Sequence, residues 1–223
     1  MILYPVVNGV KRSYDSTRRQ EQARQTRHAV LAAAGRLFTD AGYGATTLQQ
    51  VADEAGVAVQ TVYSTFGNKP ALLEELLDTS IAGDDTPVAV NDRDWMHDVF
   101  QHPDPARRLD AYAAAVTGIH ERAGDMFSVL RAAATTDPAL VPLAATTEQR
   151  RRAGAASVVN GLETLGALRD DLTVDEAVDV LWTLNSSEIH QRLVRESGWS
   201  PDRFRAWLAT TFRSALLAAP EPP

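Results

Sequence analysis

The sequence predicts an all-α fold of about nine helices, in which a short N-terminal helix-turn-helix part precedes a larger helical part. Apolar residues recur at spacings of three and four, as in Val30, Leu31, Ala34, Leu37 and Phe38. The alternation of β-branched residues that indicates strands is missing, and Ala and Leu dominate the periodic segments. With 223 residues, the chain can form one large domain or two small ones.

Composition excludes several protein classes. The chain has no cysteine, so disulfides, thiolate metal sites and a cysteine nucleophile are excluded. No stretch approaches the roughly 18 apolar residues of a membrane span. The first ten residues lack the basic region and cleavage site of a signal peptide, so we expect a cytoplasmic protein. No cofactor and no metal is expected.

The net charge of −7 argues at first against nucleic acid, but the charge is unevenly distributed. The segment 11–69 carries eight basic and five acidic residues, whereas the chain from residue 81 carries fourteen arginines and twenty-one acids. Because screening limits electrostatics to about 10 Å at ordinary salt, a locally basic end can still attract a phosphate backbone.

The first four helices have clear start and stop signals. Gly42 can end the first helix in a left-handed conformation, and Thr46 or Thr47 can cap the second. Gly67 breaks the third helix, and Asn68 caps the fourth, with Pro70 in its first turn. In order, these signals predict helices from Ser16 or Thr17 to about 40, then over about 47–55, 60–66 and 68–81.

The loop 83–94, GDDTPVAVNDRD, is the clearest internal boundary. Beyond it we predict helices over about 95–101, 105–121, 123–135, 137–168 with a bend near Pro142, 173–197 and 200–219. The domain prediction is therefore an N-terminal extension over 1–15, a helix-turn-helix domain over 16–82, a second domain over 83–219 and a tail over 220–223.

The corner between the second and third helices has the geometry of a helix-turn-helix. Such a corner needs a small residue where the helices cross, a turn residue that tolerates left-handed backbone, and an apolar anchor. Ala52, Gly56 and Val62 fill these three places. An ordinary helical hairpin with a solvated face remains the alternative at this point.

The third helix presents a polar face without carboxylates, which none of the residues from Val57 to Asn68 carries. Hydroxyls and amides can donate to phosphates or contact base edges, and a threonine methyl can contact thymine. This face predicts a DNA-binding helix, and its residues are Gln60, Thr61, Tyr63, Ser64 and Thr65.

From about Arg27 to Leu73 the chain resembles the tetracycline-repressor (TetR) family of bacterial regulators. The matching residues are Ala34, Leu37, Phe38, Gly42-Tyr43, Thr46-Thr47, the run Val51 to Val57, Thr61-Val62-Tyr63, Phe66, Asn68-Lys69 and Leu72-Leu73.

The resemblance implies roles for individual residues. Thr47 and Tyr63 would contact phosphates, Gln60 and Thr61 would face base edges, and Lys69 would contact the DNA backbone. The chain departs from the family pattern at two of these positions. The family often carries Gly or Arg near Gln60, and His or Tyr at Thr65. Because Thr65 is shorter than His or Tyr, the resemblance does not establish a phosphate contact for it.

The N-terminal extension is also unusual for this family. Its basic residues can form an arm along the DNA backbone or minor groove, or the segment can be a leader without ordered structure. These residues are Lys11, Arg12, Arg18, Arg19 and Arg24.

The resemblance implies a homodimer that binds a palindromic DNA operator, because a single helix-turn-helix contacts only a few base pairs. It places the dimer interface on the last two long helices, although the same residues can instead complete the core of one chain. The candidate interface residues are Leu181, Leu184, Leu193, Trp207, Leu208, Thr211 and Leu216.

The helices over about 95–168 are where such a regulator would bind a small effector, and the mixture of side chains favours a hydrophobic or aromatic compound. The expected function is repression relieved by that effector. The candidate pocket residues are Trp95, Met96, Phe100, His120, Met126, Phe127, Leu130, Trp182 and Asn185.

Two other functions are alternatives to this one. A DNA-binding regulator controlled by a protein partner would need no effector pocket. A helical enzyme is disfavoured because the five histidines are scattered and no metal-ligand or phosphate-loop motif is present.

Overall fold

The computed structural model describes residues 10–218, and the side chains from Arg18 onward. The all-α prediction is confirmed, and the described residues are joined by one isolated β-bridge between Leu168 and Leu217. In the same range, no helix is both long and apolar enough to cross a membrane. The predicted extension falls partly, and the predicted tail wholly, outside the described residues.

The chain divides into two compact units, one ending at Leu76 and the other beginning at Leu77, so the division falls inside the fourth helix. The first unit holds α1 (Val10–Asp40), α2 (Leu48–Ala55), α3 (Val59–Phe66) and the start of α4 (Lys69–Ala82). The second holds the rest of α4, then α5 (His97–Gln101), α6 (Pro105–Ala134), α7 (Val141–Thr164), α8 (Val174–Leu184), α9 (Ser187–His190) and α10 (Pro201–Leu216).

The first helix begins at Val10, so the predicted start at Ser16 or Thr17 is wrong. The polar stretch there is rich in Arg, Gln and Glu, which are good helix formers. Glu21 and Arg24 also form an ion pair one turn apart at 3.1 Å. A polar surface therefore does not prevent this segment from continuing as a helix.

Helix α6 is continuous, so the predicted break near residue 122 is wrong. A helical glycine costs only about 1 kcal/mol relative to alanine, and α6 compensates for Gly118 and Gly124 by burying one long face. That face packs with α7, α8 and α10 in a single apolar cluster. The structure also begins α7 beside Pro142, in its first turn, instead of bending a longer helix there.

The predicted helix over 173–197 is divided, because α8 ends at Leu184 and Asn185 closes it. The backbone carbonyl of Asn185 is approached by side chains of two other helices. Arg151 Nη1 donates to it at 2.5 Å, and His120 Nε2 lies 3.2 Å from it. Ser186 then caps α9, which runs into a π-helical segment over Gln191–Glu196. The competing donors explain why the helix does not continue through this point.

A buried polar cluster surrounds this break. The Asn185 side chain donates to the Tyr112 hydroxyl at 2.8 Å, and the rings of His120 and His190 lie 5.3 Å apart. Burial lowers the pKa of His120 to about 3, with a further contribution from His190. Burial also lowers the pKa of His190 and raises that of Tyr112 to about 12. Both imidazoles are therefore neutral in the folded protein near pH 7.

The buried His120 should make the fold sensitive to acid. Its folded pKa lies below the unfolded value of about 6.5, so its stabilising contribution is complete above pH 6.5 and is lost as the pH falls towards 3. Each extra proton bound by the unfolded chain costs about 1.4 kcal/mol per pH unit. The melting temperature should therefore fall less between pH 7.5 and 4.5 in His120→Phe than in the unsubstituted chain.

His97 is exposed on α5, so His97→Phe is the matched control and should keep the original pH profile. Parallel profiles for His120→Phe and the unsubstituted chain would contradict the assignment of acid sensitivity to His120.

Candidate nucleic-acid interface

Helix α2 begins with a capping box that engages the Thr47 side chain. The Thr47 hydroxyl accepts from Gln50 N at 3.2 Å and lies 3.0 Å from Gln50 Oε1, which in turn accepts from Thr47 N at 2.8 Å. The first amides of a helix have no partners within it and can bind an anion. The phosphate contact at Thr47 stays a prediction. The amides at the start of α2 are the groups that support it.

The corner between α2 and α3 is built as the sequence predicted. Gly56 adopts φ 68° and ψ 32°, and its N–H donates back to the carbonyls of Ala52 and Asp53. Ala52 and Val62 are fully buried, so the two helices meet without a large side chain between them. The turn thereby fixes which face of α3 is buried and which face is exposed.

The exposed face of α3 carries the predicted DNA-binding residues. Tyr63 is 49% exposed, Gln60, Ser64 and Thr65 are exposed as well, and Thr61 is half-buried. The hydroxyls of Ser64 and Thr65 both donate to the Thr61 carbonyl, at 3.0 and 2.8 Å. Held this way, they offer lone pairs outward and suit the amino groups of bases better than phosphates.

Lys69 has a structural role that sequence analysis missed. Its Nζ donates to the carbonyls of Tyr43 and Thr46, each at 2.9 Å, and lies 4.1 Å from the centre of the Tyr43 ring. Thr46 is buried, and its hydroxyl donates to the Gly42 carbonyl at 2.9 Å. Lys69 thus fastens the loop that precedes α2, while its predicted contact with the DNA backbone stays a prediction.

Acidic side chains near this surface are paired with arginines of α1. Arg36 binds Glu54 at 2.9 Å, and Arg27 forms an ion pair with Glu75. The Arg27 guanidinium also lies 5.3 Å from the centre of the Phe66 ring, at the end of α3. The pairing reduces the repulsion that Glu54 and Glu75 would exert on a phosphate backbone.

The candidate effector residues fall into a buried group and a peripheral group. Trp95 is 37% exposed and lies against Arg122, while the half-buried Trp182 donates to Glu148. His120, Phe127 and Asn185 come together, with the rings of His120 and Phe127 6.0 Å apart. Met96, Met126 and Leu130 are buried and Phe100 is half-buried.

Sequence analysis missed Tyr112, Arg151 and His190, which complete the buried polar cluster. Arg151 lies thirty-four residues from Asn185 on another helix, so no local pattern connects the two. Tyr112 lies on α6 with His120, and its spacing of eight residues on the same apolar face is the local signal that could have found it. A separate groove of about 330 Å³ lies between α6 and α10, beside Thr117, Glu121 and Arg205, and none of the predicted pocket residues lines it.

The candidate dimer residues also divide by burial. Leu181, Leu208 and Leu216 are fully buried within the chain's own core, so they offer no surface to a partner. Leu184, Leu193, Trp207 and Thr211 are half-buried and remain the candidates for an interface.

Comparison with known proteins agrees with this geometry. Residues 30–76 match the family model described as bacterial regulatory proteins, tetR family. The chain is 40% identical over 62 residues to the HTH-type transcriptional regulator TtgR of Pseudomonas putida, covering 28% of this chain and 30% of that protein. It is 39% identical over 59 residues to the HTH-type transcriptional regulator HbdR of Aromatoleum sp., covering 25% and 26%. The chain thus matches less than a third of these relatives' length, and the match confirms the predicted resemblance.

Solved structures share the fold over most of the chain. A regulator assigned to the TetR family from Rhodococcus sp. has a TM-score of 0.64 at 18% identity, covering 86% of this chain and 98% of that one. A regulator from Saccharomonospora viridis in complex with choline has a TM-score of 0.66 at 20% identity, covering 86% and 98%. The SmeT–triclosan complex has a TM-score of 0.65 at 17% identity, covering 89% and 98%.

The Lys69 contacts generate a prediction about stability and DNA affinity. Lys69→Met removes two charge-assisted hydrogen bonds and should lower the free energy of unfolding by about 2 kcal/mol in urea denaturation. Arg36→Met removes an exposed ion pair on the same unit and should cost less than about 1 kcal/mol.

The salt dependence of DNA binding separates the two roles of Lys69. As a loop fastener, Lys69→Met should weaken DNA binding without changing the slope of log K against log salt. A slope reduced by about 0.9 would instead identify a lost phosphate contact.

Proposed function

We propose that the chain is a member of the TetR family of bacterial regulatory proteins, and that it is a transcriptional repressor which binds a palindromic operator as a homodimer. The observation that carries this proposal is the exposed, carboxylate-free face of α3, held outward by the left-handed turn at Gly56. A helix that enters the major groove needs such a face, because carboxylates would be repelled by the flanking phosphates.

The residues of this face have distinct roles. Gln60 can form a two-point contact with adenine, and Thr61 can contact the methyl group of thymine, so both contribute to sequence preference. Tyr63 is 49% exposed and donates its hydroxyl to a phosphate, which contributes affinity without sequence preference. The start of α2 at Thr47 supplies a second phosphate contact.

Release from the operator is assigned to a small hydrophobic or aromatic effector that binds the second unit. The grouping of His120, Phe127 and Asn185 inside that unit supports this assignment, because aromatic walls with a few polar groups are typical of ligand sites. Two proteins of the same fold have been solved with choline and with triclosan, which supports ligand binding as a general use of the fold. An effector that favours the non-binding state by about 1–3 kcal/mol would suffice as a switch.

The first experiment is a selection of random duplex DNA with the purified full chain, read by sequencing. We expect a two-fold symmetric site whose half-sites lie about 34–36 Å apart, or a multiple of that distance. Tyr63→Ala, on the same helix face, is the control and should give no enrichment. Failure of the unsubstituted chain to enrich any sequence would overturn the operator-binding proposal.

Single substitutions on α3 should separate affinity from preference. Tyr63→Phe should weaken binding to the selected site and to unrelated DNA by the same factor, since only a phosphate contact is lost. Gln60→Ala should weaken the selected site by about 1–3 kcal/mol and relax preference at one base pair. Fluorescence anisotropy on both duplexes measures the two effects, and equal behaviour of the two variants would contradict the assigned roles.

The dimer proposal is tested on α10 at Thr211, whose half-buried hydroxyl donates only within its own helix, to the Trp207 carbonyl. Thr211→Arg should produce monomers by light scattering and weaken binding to the two-half-site operator by about a hundredfold or more, through lost avidity. Thr164→Arg is the control, because Thr164 makes the same bond to Asn160 on the exposed surface of α7. A dimer that survives Thr211→Arg would exclude this face of α10.

A further inference from the structure

Two histidines form an unusual pair inside the second unit. His120 of α6 is 2% exposed and His190 of α9 is 4% exposed, and their ring centres lie 5.3 Å apart. Within residues 18–218, whose side chains are described, neither His120 Nδ1 nor His190 Nε2 has a hydrogen-bond partner. Buried polar atoms are nearly always paired, so two unpaired nitrogens on adjacent rings indicate a place where a ligand group can bind.

The hydrogen bonds around His120 fix its protonation. Its Nε2 lies 3.2 Å from the Asn185 carbonyl, which can only accept, so Nε2 carries the ring proton. In the neutral ring Nδ1 is then an acceptor. A ligand group at this position must therefore donate a hydrogen bond to His120.

A hydroxyl group has the donor and the acceptor that these two nitrogens lack. It donates to His120 Nδ1, and its oxygen accepts from His190 when Nε2 carries the proton of that ring. A carboxylate cannot donate to Nδ1, and an ammonium group would be disfavoured by burial and by Arg151, which donates to the same Asn185 carbonyl.

The surroundings of the pair are aromatic. The Phe127 ring meets His120 edge-on at 6.0 Å, and the Phe204 ring meets His190 edge-on at 5.0 Å. On α6, Gly124 faces His190 without a side chain, and a β-carbon there would lie 4.0 Å from His190 Nδ1. Phe127 and Phe204 are the aromatic rings that a flat aromatic body attached to the hydroxyl would contact once the neighbouring backbone rearranges.

The backbone next to the pair is irregular. His190 ends a helix of four residues and is followed directly by the π-helical segment Gln191–Glu196. Such segments are rare and occur frequently at functional sites. Rearrangement of this short segment would admit a small molecule between α6 and α9 without unfolding the long helix α6.

We propose that His120 and His190 form the polar subsite for a phenolic hydroxyl, and that the effector of this protein is a small neutral phenol. The subsite rests on the proposed function only in calling its ligand the effector, since binding itself needs no DNA. The two histidines select the hydroxyl group of the ligand, and Phe127 and Phe204 select its aromatic ring.

The test compares phenol with toluene, in which a methyl group replaces the hydroxyl at nearly constant shape. The full chain is labelled with ¹³C on its histidine rings, and the ring signals are followed by NMR at pH 7.5 during each titration. We expect saturable shifts of the His120 and His190 signals with phenol, and binding of toluene weaker by at least about tenfold, because toluene leaves both nitrogens unpaired. This comparison uses the unsubstituted chain, so it does not depend on the folding of any variant.

Substitutions then locate the site. His120→Phe and His190→Phe should each weaken phenol binding by about tenfold or more while preserving ring packing, and the exposed His97→Phe should leave it unchanged. Toluene binding as tightly as phenol, or phenol titration without shifts at His120 and His190, would overturn the subsite.

Displacement of the selected operator by phenol is measured separately by anisotropy. Phenol that binds the pair without displacing DNA would leave the subsite standing and overturn its role as effector site. Normal operator binding without any phenol binding would overturn the subsite alone.

Discussion

The left-handed turn at Gly56 is the constraint on which the proposed DNA-binding surface depends. A residue with a side chain would find no neighbour within 4 Å among the described residues, so the requirement for glycine lies in the backbone itself. At φ 68° an ordinary residue costs about 1–2 kcal/mol. Because the turn returns its amide to Ala52 and Asp53, α3 starts after only three residues with Val62 and Phe66 facing inward. The exposure of Gln60 and Tyr63 follows directly from that inward register.

A second constraint acts in the other unit, at the Asn185 carbonyl. Arg151 and His120 approach one oxygen from two different helices, and Asn185 extends the network to Tyr112 through its side chain. The bonds end α8 and leave α9 short, so the chain changes direction where the two histidines meet. Apolar packing could hold the long helices together without the hydrogen bonds at Asn185. It would not, however, divide the predicted helix at this residue.

The sequence allowed the helix-turn-helix to be predicted closely because its signals are local. Thr47 and Gln50 cap α2 across three residues, Gly56 ends it, and Asn68 accepts from Ala71 at the start of α4. The division at Asn185 could not be predicted, because Arg151 lies thirty-four residues away and His120 sixty-five. The hydrogen bonds of the Lys69 side chain were missed for the same reason, since its partners Tyr43 and Thr46 precede it by more than twenty residues.

The distribution of donors and acceptors on α3 also bears on how an acidic protein can bind DNA. The net charge of −7 opposes association, but charges more than about 8–10 Å from the phosphates are screened at physiological salt. Close to the helix, Glu54 is already paired with Arg36, and Ser64 and Thr65 direct lone pairs outward. Few groups on this surface are therefore suited to donate to phosphate, with Tyr63 and the start of α2 foremost. In the proposed complex, so few phosphate contacts would make binding depend on base contacts and on a second copy of the chain, so we expect tight binding only to an operator with two half-sites.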